Sequence, residues 1–316
     1  MTAPLVLEWL REGRLRLPLP ASGDTAQRWR RLAELTEIDV VAGRLAEAHT
    51  DAAAILAELG GPQPSSDELW GVWAAEASDV VVIAHDAGDR VVLDGAKPWC
   101  SGAGLCTHAL VTARLGDGRR GLFAVDLGGG AVQPLERTWR NAGMAESDTR
   151  SVQFAGATAV PVGGAGDYLN RPGFWFGAIG VAACWLGGAR AVAAPLYRAA
   201  GHSIGDHHLL AHLGAVDAAI TAGEAALTVA ADQVDADPQD RSGLAELTAR
   251  RVRAIVETAV NETLGRTDRA LGPGPLCLDE KHAKAVADLT VYVRQSHAEH
   301  DLAVLGSLAA ARRADG

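Results

Sequence analysis

Cysteine is sparse in this 316-residue chain: Cys100, Cys106, Cys184 and Cys277 form no C-x-x-C pair and no compact framework. That spacing argues against a disulfide scaffold or a structural zinc site and predicts reduced thiols. Positive charge is also short, with 29 Lys and Arg against 39 Asp and Glu, a net charge of −10 and a pI near 5.5. Such a balance disfavours a nucleic-acid surface, and the Arg-dense stretch RWRRL (28–32) reads as the wet face of a helix. No long apolar run goes unbroken: GAIGVAACWLGGARAVAAPL (177–196) is interrupted by Gly, Arg and Pro, which suits a buried helix better than a membrane span. The opening MTAPLVLEWLREGRL puts Glu and Arg where a signal peptide needs an apolar core. There is no internal repeat and no low-complexity tail. These absences predict a cytoplasmic protein with neither membrane nor nucleic acid as partner, and favour small or apolar ligands.

What is present is a hydrophobic content of 48%, enough for one large domain or several small ones. Residues 24–60 carry apolar positions at helical spacing and stop at Gly-Gly-Pro, the pattern of two consecutive helices. From Gly71 to about Val162 the period changes. DVVVIAHDAGDRVVLDG (79–95), THALVTARLGDGRRGLFAVDL (107–127) and DTRSVQFAGATAV (148–160) are β-branched runs parted by Gly/Asp turns, which predicts antiparallel hairpins. Helical spacing returns over 173–200, 208–233, 243–271 and 279–312, with breaks at HSIGD, DADPQD and LGPGPL. The expected fold class is therefore α+β multidomain: N-terminal helices over 1–66, a central antiparallel β barrel or sandwich over 67–165, and a C-terminal four-helix bundle over 166–316.

Four motifs then bear on function: LDGAKPWCSGAG (93–104), GMAESDTRSVQFAGATAVP (143–161), LGPGPL (271–276) and ADLTVYVRQSHAEHDLAVLG (287–306). In this order and spacing they resemble the acyl-CoA dehydrogenase-like flavoprotein superfamily, over roughly residues 24–312. The resemblance implies a flavin-dependent oxidoreductase using FAD. It places Trp99 beside the isoalloxazine ring, Ser101 as a donor toward flavin N5, and Gly272 and Gly274 at a turn meeting the far end of a cofactor from another subunit. It also implies a homodimer or homotetramer.

The departures are as informative. Where the family has Arg-x-x-Phe-Gly and a Gln for the cofactor pyrophosphate, this chain has Gly201, Ile204 and His212, with only Gly205 kept. The expectation is weakly held FAD, or FMN or reduced flavin taken from solution. His208 and His212 stand at i, i+4 without a further ligand in view, so no metal is expected. The two stations for the family's catalytic carboxylate hold Ser296, eight residues after Asp288, and Gly177. What the last segment offers instead is His297 and Asp301, four apart and hence on one helical face, an imidazole oriented by a carboxylate that can act as acid or base. The front end is about half the family's length, which implies a wider site or one completed by a partner chain. Three readings stand: a dehydrogenase-type enzyme acting on a non-standard small-molecule or acyl-thioester substrate, carrier-bound ones included; a flavin-dependent monooxygenase of the same fold; and a flavin-free binding or assembly relative.

Overall fold

The computed structural model describes residues 2–76, 81–88, 90–202 and 205–314; Ile204, and Asp79, Val80 and Asp89 of the first hairpin, lie outside them. The elements run α1 (Thr2–Arg11), α2 (Thr25–Ile38), α3 (Val40–Leu59), then strands β1 (Trp70–Trp73), β2 (Val82–Asp86), β3 (Val91–Cys100), β4 (His108–Arg114), β5 (Arg120–Asp126), β6 (Val132–Pro134) and β7 (Arg150–Pro161). Helices α4 (Asp167–Asn170), α5 (Gly173–His202), α6 (His207–Ala236), α7 (Ala245–Leu271), α8 (Pro273–Leu278), α9 (Glu280–Tyr292) and α10 (Glu299–Ala314) follow. This is the expected α+β class, with helices, a small β barrel and a C-terminal helical region. The chain divides into two compact units, one of Met1–Leu17, Leu45–Asn141 and Ala145–Phe174, the other of Pro18–Arg44, Ala142–Met144 and Trp175–Gly316.

In the first unit β4, β2, β3, β7 and β5 pair in a closed ring, with β1 added to β4 and β6 to β7. Closure leaves few free strand edges. The runs ALVTA and LFAV are apolar at nearly every position because β4 and β5 are covered on both faces. Ala109, Val111, Phe123 and Val125 point into the barrel core, while Leu110, Leu122 and Ala124 pack with Ala52, Ile55 and Leu56 of α3. Both expected hairpins form, β2–β3 and β4–β5. Antiparallel pairing throughout does not hold: β1 runs parallel to β4, from Trp70↔His108 to Trp73↔Val111, and β2 meets β4 parallel at Ile83↔Arg114. Strands separated in the chain by one or two others need no tight turn, so no turn residue announces their direction.

In the second unit α5 is the core helix, with Ile179, Trp185, Leu186, Val192 and Leu196 fully buried. A Cβ on its Gly187 would lie 2.1 Å from the carbonyl oxygen of Ala33, so glycine is what lets α5 close on α2. Asp235 fastens the start of α2, accepting from the backbone N–H of Gly23 and Thr25 at 3.1 Å and from Thr25 Oγ1 at 2.6 Å. The fourth expected helix, 279–312, is broken. α9 ends at Tyr292, a single 3-10 turn covers Val293–Gln295, Ser296 is extended, and Ala298 has a left-handed φ of 45° before α10 begins. LGPGPL is likewise more than a turn, since Pro273 opens the short helix α8.

Candidate functional site

The stretch LDGAKPWCSGAG ends β3 with a bulge. Lys97 pairs with Val152 but Cys100 with Arg150, so β3 spends one more residue than β7 over this step, where Pro98 has no N–H to give the ladder. Trp99 takes a φ of 60°, a conformation that large side chains rarely adopt, and its indole is 62% exposed with Trp139 edge-on at 6.3 Å. Cys100, by contrast, turns inward: its thiol donates to the Lys97 carbonyl oxygen at 3.2 Å, and burial pushes its pKa far up, so it is an inert core residue.

Two of the four motifs meet here. Ser101 Oγ lies 2.9 Å from Thr149 Oγ1, which lies 2.7 Å from Ser147 Oγ. The N–H of Gly102 donates to the Ser147 carbonyl, that of Ala103 to the Asp148 carbonyl, and that of Gly104 to Asp148 Oδ2 at 3.0 Å. The segment Ser147-Asp148-Thr149 thus clamps the Ser-Gly-Ala-Gly turn and fixes the Ser101 hydroxyl two residues after the exposed Trp99. The lysine preceding them is already committed: Lys97 Nζ donates to Thr112 Oγ1 at 2.7 Å and to Glu76 at 3.3 Å, and burial lowers its pKa. Glu146 is engaged too, accepting from Thr2 Oγ1.

In the helical unit, Asp288 is buried and accepts from the N–H of Met144 at 2.6 Å and from Lys284 Nζ at 2.7 Å. Burial raises its pKa against the pull of Lys284. Lys284 also reaches Asp39 at 3.3 Å, beside a cavity of about 170 Å³ between α2, α5 and α9.

Ser296 and Gly177 carry no carboxylate, as the sequence states, but the structure brings one to Ser296. Its Oγ donates to Glu257 Oε2, on α7, at 2.6 Å and accepts from the Ala298 N–H at 3.1 Å. Glu257 was not legible as a site residue, because nothing in the spacing of two residues 39 positions apart marks them as neighbours.

The premise that His297 and Asp301 share one helical face is corrected by the break. His297 precedes α10, its ring is 78% exposed, and its Nδ1 is 3.9 Å from Asp301 Oδ2, beyond a hydrogen bond. Asp301 is engaged instead by the His297 backbone N–H at 3.1 Å and by Arg250 Nη1 at 3.0 Å. Burial alone would raise its pKa, but these donors and Arg253 carry it down.

At the start of α6, Gly205 is followed by Asp206, whose carboxylate accepts from the N–H groups of His208 and Leu209 at 3.0 Å. A side-chain anion therefore occupies the N-terminus of α6, while Gly201 lies near the end of α5. His212 Nδ1 is buried and has no hydrogen-bond partner among the described residues. Gly272 caps α7 with a φ of 65°, and a Cβ at Gly201, Gly205, Gly272 or Gly274 would meet nothing within 4 Å.

No protein-family model matches the sequence, and neither does any curated protein sequence. Solved structures do resemble it. Nitrososynthase from Micromonospora carbonacea var. africana matches with a TM-score of 0.78 at 17% identity, covering 96% of this chain and 88% of that one. TdsC, a dibenzothiophene monooxygenase from Paenibacillus sp. A11-2 seen in complex with FMN and indole, matches at 0.77 and 17%, covering 96% and 94%. FkbI, named for biosynthesis of a methoxymalonyl extender unit, matches at 0.81 and 16%, covering 98% and 93%. At such identities the likeness establishes the fold, which is acyl-CoA dehydrogenase-like.

Proposed function

We propose that this chain is a flavin-dependent oxidoreductase acting on a small-molecule or acyl-thioester substrate, carrier-bound ones included. The observation that carries the reading is Trp99. A large aromatic held in a left-handed conformation and mostly in the open, two residues before an ordered hydroxyl, is strain of the kind found at ligand sites. It stands at the motif where the resemblance puts the flavin ring, and the similar structures include a protein in complex with FMN.

The residues present fit the ring end of such a cofactor: Trp99 offers a flat face and Ser101, aligned through Thr149 and Ser147, offers Oγ. They fit the phosphate end less well. His212, Gly205, Gly272 and Gly274 supply open space and one imidazole, and Asp206 adds negative charge. This favours a loosely held flavin, FMN or reduced flavin from solution as well as FAD. When bound, flavin supplies two-electron chemistry; the chain supplies the ring platform and the hydroxyl.

A monooxygenase using reduced flavin and oxygen is the second reading, favoured by the weak phosphate end and by the monooxygenases among the similar structures. Titrating the purified protein with FMN and with FAD tests the proposal. Quenched or shifted flavin emission that is lost in Trp99→Ala supports it, and no interaction with either flavin leaves the flavin-free relative. Oxygen uptake with supplied reduced FMN and product analysis then separate the two enzymes. A cytoplasmic homodimer or homotetramer belongs to the same proposal.

A further inference from the structure

The cavity between α2, α5 and α9 lies wholly within the helical unit and takes no part in the flavin reading. We propose that it binds a small organic monocarboxylate, the apolar body of the ligand inside and its carboxylate at Arg198 and Lys281.

Size and walls suit such a body. The volume of about 170 Å³ is close to the roughly 150 Å³ that holds one benzene in an apolar protein cavity. Val40, Ala191, Ala194, Pro195 and Ala285 supply apolar wall. Yet this is not a dry packing void, because two polar groups in its lining lack partners. His282 is only 4% exposed, and its Nδ1 is buried without a hydrogen bond among the described residues. Pro195, inside α5, has no N–H, so the Ala191 carbonyl is without the helical donor that belongs four residues on. Buried groups left unmet cost free energy until a ligand or water reaches them.

Charge then selects the ligand. The acids of the lining are already engaged. Asp288 and Asp39 hold Lys284, Asp39 also accepts from the Ala42 N–H at 2.7 Å, and Asp279 accepts from the His282 N–H at 3.1 Å. Glu37 faces Arg190 at 3.9 Å. Arg198 and Lys281 line the same cavity as exposed residues and have no ion pair among the described residues. Uncommitted positive charge beside an apolar hollow calls for an anion, and the guanidinium fork matches a carboxylate. The four carboxylates in the lining oppose a second negative charge, which argues against phosphate esters. The imidazole fits this reading. Burial lowers the His282 pKa, Asp279 and, from α7, Asp268 pull it back up, and Arg198 pushes it down. A carboxylate entering the cavity favours the charged imidazole and raises that pKa.

Benzoate is the probe, titrated calorimetrically into the purified full chain with no flavin added, so the outcome is separate from the flavin reading. We expect one saturable site per chain. Benzamide has the shape without the charge, and inorganic phosphate the charge without the body; each should bind at least about tenfold more weakly. The double variant Arg198→Gln with Lys281→Gln should lose at least about tenfold in affinity, and Ala194→Leu, which fills the hollow, should abolish binding. Proton NMR should show the His282 midpoint, assigned by its absence in His282→Asn, rising when benzoate saturates the protein. A wild type that takes up no benzoate overturns the proposal and leaves the two polar groups to water. Binding that survives in the double variant and leaves His282 unmoved also overturns it, since the ligand then sits elsewhere. Should Ala194→Leu fail to fold, the double variant and the His282 midpoint decide the matter without it.

Discussion

Trp99 carries a conformational cost that glycine would not. Because its indole is mostly in solvent, little packing is lost by removing it, so Trp99→Gly is expected to raise unfolding free energy by up to about 1 kcal/mol. The same change should abolish flavin quenching. Urea unfolding of the two proteins checks the first part, and a less stable variant would show that the indole is a packing element. The importance of this residue was legible because Pro98, Trp99, Cys100 and Ser101 are consecutive and their oddity at a strand end is local. The opposite holds for Glu257, whose partner Ser296 lies 39 positions away, in the break between α9 and α10. His297 and Asp301 were misplaced for a third reason: the spacing through VYVRQSHAEHD continues without glycine or proline, and the stop is made by Ala298 in a left-handed conformation that composition does not advertise.

Between elements, close approach and burial set the expected effects. At Gly187 an added methyl meets the Ala33 backbone, whereas at Gly265, on α7, it meets nothing within 4 Å. Gly187→Ala is therefore expected to cost about 1–3 kcal/mol despite better helix propensity, and Gly265→Ala to add up to about 1 kcal/mol. Thermal denaturation of both decides it; equal shifts would mean that α2 and α5 are not in contact in solution.

The link from α3 to β1 predicts a pH dependence. His49 Nδ1 accepts the Trp70 N–H at 3.2 Å, and burial, against a smaller opposing effect of Glu68, lowers its pKa to about 4. Below about pH 6.5 the unfolded chain takes up a proton that the folded chain refuses until about pH 4. Stability should thus fall as pH drops through that window, by about 3 kcal/mol in all at roughly 1.4 kcal/mol per unit. His49→Gln, which can still accept from Trp70, should flatten this part of a denaturation series. At this scale the hairpins were legible from their Gly/Asp turns, while the parallel β1–β4 pair was not, because direction there depends on a long connection.

For the whole molecule, α6 is as apolar as a membrane span but mostly exposed over its length, unlike the largely buried α5. Val229 on α6 is among the exposed large hydrophobics, as is Leu278 at the end of α8. Surfaces of that kind are usually covered, so light scattering is expected to give at least twice the 32.8 kDa chain mass. A monomer at micromolar concentration would refute this.

The division into two units has one more consequence, for the order in which the chain can acquire structure. Neither unit is continuous: the chain changes unit after residues 17, 44, 141, 144 and 174. During synthesis the stretch Pro18–Arg44 emerges long before Trp175 and the helices it must join, and has to wait for them. Nor can the barrel be excised at the boundaries that its strands suggest. A fragment of residues 67–165 leaves Trp70, Leu110, Leu122 and Val162 without Ala52, Ile55 and Leu56 over them, and would bring an apolar face into water in place of a closed core.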